Sequence, residues 1–306
     1  MKSPPSTRSD RAWAYTARMS RKKTDTGLPA APSRGPDPGE IAAFRAAVAE
    51  HYLAHRRDMP WRETRDPYAV LVSEVMLQQT QVSRVLPKYE EWLASFPDFE
   101  TLAAAPLAVV LEAWSGLGYN RRAVAIRRAA EIVVREMGGE LPRDPVALAT
   151  LPGIGPATAR AVVTYAYGEF APFIETNVRA AVLHHFFADT EGVTDRELEP
   201  VVEATWDRDD PRSWGHALMD YGSWLKREFP NPSCRSMHHT RQSRFEGSDR
   251  QARGAFLRAL VRLGAAPFDV LAQEAGVDTA RGERLLADLE REGFVTCEDD
   301  VYRITG

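Results

Sequence analysis

From Asp37 to about residue 230 the apolar residues recur at intervals of three and four, and no stretch alternates polar with apolar long enough to make a strand. A chain patterned this way can bury its apolar stripes only by packing helix on helix. Helices are predicted over 41–48, 68–86, 88–95, 107–115, 121–137, 145–150, 156–167, 177–187, 195–206 and 211–228, with Gly and Pro closing the turns between them. The body is therefore expected to be all-α.

The two ends have other textures. Residues 1–37 carry five prolines and no apolar periodicity, so a disordered basic leader is expected, with Met19 as an alternative start. At the other end, helices are predicted over 253–263, 268–276 and 279–293. Two strands should follow at 294–297 and 301–304, flanking Glu298-Asp299-Asp300, which is a winged-helix pattern for 246–306.

Charge is distributed unevenly around a net −4. Residues 38–210 hold 17 Lys and Arg against 26 Asp and Glu, 211–265 hold 10 against 4, and 266–306 hold 4 against 10. One local polyanion-binding face is one explanation of the basic segment, and an ordinary solvated surface is the other. Because the wing and the presumed second helix of the helix-turn-helix lie in the acidic stretch, a packing or protein-contact role is favoured there over phosphate binding. No apolar run nears the roughly 20 residues that cross a bilayer, and no signal peptide is visible, so a cytoplasmic, nucleoid-associated protein without membrane partners is expected.

Three stretches carry chemistry. In Ser73-Glu74-Val75-Met76-Leu77-Gln78-Gln79-Thr80-Gln81-Val82 a carboxylate stands on an apolar helical face beside a cluster of polar side chains. Desolvation there would raise its pKa and keep a proton available for general acid catalysis; the plain alternative is a half-exposed helix glutamate. Leu151-Pro152-Gly153-Ile154-Gly155 precedes a helix opening with Pro156. Its glycines let backbone amides approach a phosphate, and the helix N-terminus adds partial positive charge; otherwise it is a glycine-rich turn. In Phe173-Ile174-Glu175-Thr176-Asn177 a second acid sits directly before a helix, either as partner to Glu74 in cleaving a glycosidic bond or as a dipole-stabilising residue.

In these stretches the chain resembles the helix–hairpin–helix superfamily of DNA glycosylases, and within it the MutY-type adenine glycosylases, over about residues 40–245. Met59-Pro60-Trp61-Arg62, Ser73 to Val82, Trp114-Ser115-Gly116-Leu117-Gly118-Tyr119, Leu151 to Gly155 and Asp220-Tyr221-Gly222 match in order and spacing. The resemblance implies an all-α, two-lobed helix–hairpin–helix body with a six-helix lobe over about 68–186. It also implies monofunctional hydrolytic excision of adenine mispaired with 8-oxoguanine or guanine in base excision repair, by a monomer acting on double-stranded DNA. Glu74 would donate the proton, Glu175 would stand where the family places a catalytic aspartate, and Asn177 would be a supporting amide. Gln79 and Tyr119 would wedge into the base stack beside Gln78, while Leu151, Gly153, Ile154 and Gly155 would hold the DNA backbone. Ala157 stands where the endonuclease III branch carries a Schiff-base lysine, so no lyase activity is expected.

The chain also departs from that pattern. Relatives carry four cysteines around a [4Fe–4S] cluster, whereas this chain has only Cys234 and Cys297, so no cofactor is expected. Arg235, His238, Arg241 and Arg244 in that loop are expected to contact phosphate in the cluster's place; a Cys-His-His metal site is the rival reading. Glu175 is one methylene longer than aspartate, and the winged-helix-like segment stands where longer relatives carry an 8-oxoguanine-recognition domain. The rival functions are excision of thymine, uracil or another damaged base, and non-catalytic binding of bent or mispaired DNA.

Overall fold

The computed structural model describes residues 35–239 and 244–306. In chain order the helices are α1 (Pro38–His55), α2 (Pro67–Leu77), α3 (Val82–Ser95), α4 (Phe99–Ala104), α5 (Leu107–Ala113), α6 (Arg121–Glu136), α7 (Pro145–Leu148), α8 (Pro156–Val162), α9 (Thr176–Phe186), α10 (Asp195–Thr205), α11 (Pro211–Glu228), α12 (Asp249–Leu263), α13 (Phe268–Ala275) and α14 (Thr279–Arg291). The strands are β1 (Ala265–Pro267), β2 (Val295–Glu298) and β3 (Val301–Ile304). The chain divides into two compact units, one formed by Met1–Asp58 with Gly168–Thr240 and the other by Met59–Tyr167 with Arg241–Gly306. Most of the expected leader lies outside the described residues; α1 follows it, with Asp37 and Glu40 completing a capping box at its start.

In the first unit α9 packs on α11, and the approach is closest at Gly222, where an added Cβ would fall 2.1 Å from the Asn177 carbonyl oxygen. Asp220, buried on α11, accepts from the Arg57 backbone N–H at 3.1 Å and from Arg57 Nε at 2.6 Å, which ties the chain after α1 to that helix. Arg45 donates to the Thr205 and Trp206 carbonyls at 3.0 and 2.7 Å, satisfying acceptors at the C-terminus of α10. Next to Phe44, His185 lies 2.7 Å from the Tyr221 hydroxyl, and burial pushes its pKa down to about 3, so it is neutral at physiological pH.

In the second unit α2 is buried nearly all round: from Tyr68 to Met76 every residue is buried except Glu74. Tyr68 donates to the Phe96 carbonyl at 2.7 Å and accepts from Trp92 at 3.2 Å, so both buried polar tips are satisfied. The single helix predicted over 68–86 is two helices, α2 and α3, because the backbone turns left-handed at Gln79 (φ 53°). Helix α4, which the sequence pattern did not indicate, is a short turn capped by Asp98. Helix α8 ends at Val162 and passes into a wider π turn at Val163–Tyr167.

The C-terminal segment belongs to this second unit. Its sheet has three antiparallel strands in the order β1-β3-β2, one more than expected, since three residues ending in Pro267 are too few to show alternation. Asp299 and Asp300, both at positive φ, make the tight hairpin turn of the wing. Arg121 and Arg253 both bond Glu292, joining α6, α12 and the end of α14.

Gly222→Ala should cost on the order of 3 kcal/mol, because backbone rather than a flexible side chain blocks the new methyl. Gly155→Ala, with open space around it and an ordinary φ of −81°, should be nearly neutral. Denaturant titration of the two variants checks both outcomes.

Candidate functional site

Glu74 is the one half-buried residue on an otherwise buried stretch of helix, one turn from the point where α2 stops. The halt is enforced from α6. Arg122 is buried, and its guanidinium donates to the carbonyls of Val75 and Met76 at 2.8 Å and of Gln78 at 2.7 Å, so the helix's last acceptors are taken by a side chain. It also donates to Thr80 Oγ1 at 2.9 Å and to the Gly118 carbonyl at 3.0 Å. Trp114 and Tyr119 lie against its face at 5.2 and 5.6 Å. Burial pushes its pKa down to about 10, which leaves it charged at neutral pH.

This one side chain fixes two turns. Gln79 and Tyr119, the residues expected to wedge into DNA, both have left-handed backbone (φ 53° and 49°), and Arg122 holds the carbonyl immediately preceding each of them. Non-glycine residues in that region carry strain that surrounding contacts must hold. Gln78 points elsewhere: its amide donates to Thr158 Oγ1 on α8 at 3.2 Å, linking the end of α2 to the glycine hairpin. In that hairpin Leu151 and Ile154 bury their side chains, while Gly153, Gly155 and Pro156 are exposed, so anything it offers an anion comes from the backbone. Gly153 has φ 75°, and a Cβ there would come 2.6 Å from that of Ala125.

The other acidic residue lies in the first unit. Glu175 is the N-cap of α9: its Oε1 accepts from the backbone N–H of Asn177 at 2.6 Å and of Val178 at 2.9 Å, and its Oε2 accepts from Asn177 Nδ2 at 3.2 Å. The dipole-stabilising role foreseen for it is thus realised in the structure. Burial of the carboxyl pushes its pKa above the ordinary 4.5, opposed by those hydrogen bonds and by the positive charge of Lys226. Asn177 Nδ2 also lies 3.5 Å from Met219 Sδ.

In the loop where relatives carry cluster cysteines, Ser233 and Ser236 are buried. Ser233 Oγ donates to the Thr176 carbonyl at 3.2 Å, and residues 235–237 bond the backbone of Val193 on both sides. Arg235, expected at phosphate, donates to the Leu183 carbonyl at 2.8 Å from a half-buried position, an internal tie near the end of α9. His238 and Arg244 are exposed, Arg244 paired with Glu246 at 3.0 Å, and Arg241 lies outside the described residues. Cys234 Sγ is 3.7 Å from His239 Nε2, and among the described residues no three His, Cys, Asp or Glu side chains gather where a metal ion could be held. Cys297 belongs to β2, so the loop's hydrogen-bonded serines and one thiol do not make a donor set for an iron–sulfur cluster.

Arg122, Asp220 and Ser233 were not identified by their roles from the sequence. For Arg122 a signal exists: it shares a helical stripe with the buried Ile126, Ala129 and Val133, which is no place for an arginine without internal acceptors. Arg122→Met should destabilise the protein by on the order of 3–5 kcal/mol, as expected when a buried charge network loses its centre, and chemical denaturation reads the loss. The sign for Glu175 is the reverse of a salt-bridged acid. Its folded pKa lies above the ordinary value, so the native state holds the extra proton and stability falls as pH rises above about 4.5. Denaturation midpoints across that range should fall less steeply in Glu175→Gln.

Comparison with known proteins agrees with this geometry. Residues 72–205 match the HhH-GPD superfamily base excision DNA repair protein family. The chain is 35% identical over 275 residues to the adenine DNA glycosylase of Mycobacterium tuberculosis, covering 80% of this chain and 88% of that one. It is 37% identical over 227 residues to the adenine DNA glycosylase of Mycolicibacterium smegmatis, covering 67% and 76%. A solved thermostable thymine-DNA glycosylase superposes with a TM-score of 0.55 at 25% identity, over 60% of this chain and 87% of that one. The chain belongs to the adenine DNA glycosylases of the HhH-GPD superfamily.

Proposed function

We propose that the protein excises adenine from mispairs with 8-oxoguanine or guanine by hydrolysis, as a monomer in the cytoplasm, and leaves an abasic site. The observation that carries this reading is Glu74, a half-buried carboxyl on a helix otherwise buried from Tyr68 to Met76, which ends at the turn of Gln79; the same arginine holds Gln79 and Tyr119 in strained backbone. Adenine leaves deoxyribose poorly as an anion. Protonation of a ring nitrogen by Glu74 lowers the barrier to C–N cleavage, and general acid help of this kind is worth roughly 10²–10⁴-fold. Glu175, ionised, supplies negative charge for the oxocarbenium-like sugar, and Asn177 keeps its carboxylate oriented. Extruding the base costs a few kcal/mol, part of which Gln79 and Tyr119 offset by filling the gap. Water is the attacking group, since Ala157 offers no amine for a lyase step.

The reading excludes an iron–sulfur cofactor: in its place the loop is held by Ser233, Ser236 and Arg235 through hydrogen bonds. Iron analysis of purified protein should find none in stoichiometric amount. Release of thymine is the second reading, favoured by the likeness to the solved thymine-DNA glycosylase. A panel of duplexes carrying A, T or U opposite G or 8-oxoguanine separates the two. Adenine should be released, with Glu74→Gln slowing single-turnover release at least 10²-fold while leaving duplex affinity intact. Release of pyrimidine alone overturns the adenine assignment.

A further inference from the structure

Helix α12 opens the C-terminal segment and lines a groove of about 1250 Å³ together with Gln78, Gln79, Gln81, Arg84 and residues 115–122. The groove thus contains Gln79 and Tyr119. Its charge is strongly one-sided, with seven arginines lining it against Glu112 and Glu274. Several of these arginines have internal work: Arg122 holds the two turns, Arg253 and Arg121 bond Glu292, and Arg262 pairs with Glu274 at 2.7 Å. Arg258 is exposed on α12, toward the same groove. Arg84, on α3, lines the groove too and is bonded to the Gly116 carbonyl.

Arg250, also on α12, engages Tyr119 directly. Its guanidinium donates to the Tyr119 hydroxyl and lies 5.0 Å from the ring centre, while the exposed Phe245 ring lies 5.4 Å from it on another side. The acid-rich part of the segment, 266–306, contributes only Glu274 and Phe294 to the groove. The repulsion expected of the winged-helix segment from its composition therefore does not apply to α12, whose charge belongs to the basic stretch before it.

We propose that α12 is a DNA-binding element: Arg258, in the groove that Arg84 also lines, holds a backbone phosphate of the strand against which Tyr119 bears, and Arg250 is a positioning residue that orients the Tyr119 ring. This rests on the glycosylase reading only for the role of Tyr119. A phosphodiester strand is the occupant that matches the charge, since guanidinium groups from α12 and α3 and the Tyr119 ring line the same groove. Phosphate contacts of this kind set register without reading sequence.

The test uses the full-length protein and a fluorescein-labelled duplex with one A·8-oxoguanine pair, titrated by anisotropy at several KCl concentrations. Arg258→Ala should weaken binding roughly tenfold at low salt and lower the slope of log K against log[KCl] by about 1. Arg258→Glu should weaken it further, and Arg291→Ala, at an exposed position on α14, should match the wild type. Arg250→Ala should slow single-turnover base release with duplex saturated by enzyme, and Arg250→Lys should not restore it, because a point charge lacks the planar face that stacks on the ring. Wild-type affinity and slope in both Arg258 variants would overturn the proposal. Should the wild type bind duplex with an Arg258-dependent slope yet release no base, the groove assignment stands and the glycosylase reading fails; no binding to any duplex removes both.

Discussion

One guanidinium organises the second unit. Arg122 closes α2, starts the turn toward α3, and fixes the loop before α6 by donating to carbonyls at a helix end and in a tight turn; of these, Gln78 also accepts from Thr80 Oγ1 and Gly118 from Trp114 Nε1. Arginine suits this task because its five N–H groups lie in one plane and point outward in fixed directions. A lysine could satisfy three acceptors at most, and a hydrophobe none. The cost is a desolvated charge, visible in a pKa lowered to about 10, and it is offset by six acceptors and two aromatic faces.

That arrangement also stores strain at the two residues proposed to wedge into DNA. Left-handed backbone at Gln79 and Tyr119 is unfavourable for residues with a Cβ, and persists because the flanking carbonyls are held. A side chain on a backbone held in this way has less freedom, which in the proposed wedge role lowers the entropy lost on insertion. Helix α12 adds a second restraint on the Tyr119 ring through Arg250. The C-terminal segment therefore bears on the Tyr119 ring, although its overall charge would have placed it away from DNA.

Much of this was legible beforehand. The helices over 121–137 and 195–228 follow the apolar period closely, because each is amphipathic. Where the sequence misled, tertiary donors decided the outcome. Residues 68–86 have an uninterrupted helical period, and the break at 78–81 comes from an arginine over forty positions later in the chain. The same holds for the loop at 232–239: its basic residues read as a surface for phosphate, yet Arg235 turns inward because the carbonyl of Leu183 needs a donor. Local pattern records which residues prefer water, but not which distant backbone groups would be left without partners.

Glu175 illustrates how packing sets chemistry. Aspartate is the commoner cap because its carboxylate reaches the first free amides directly, and the extra methylene of glutamate has to be folded back for the same purpose. Here it is folded back, with both amides on Oε1 and the Asn177 side chain on Oε2, so the longer residue is held at three points rather than displaced. Asn177 can hold it only because its own backbone is seated against Gly222, where any larger residue would collide with the Asn177 carbonyl. A glycine on α11 thus governs the orientation of an amide on α9, and through it the carboxylate. The burial that raises the pKa of that carboxyl and the hydrogen bonds that lower it come from the same packing, so geometry and proton affinity cannot be changed separately at this position.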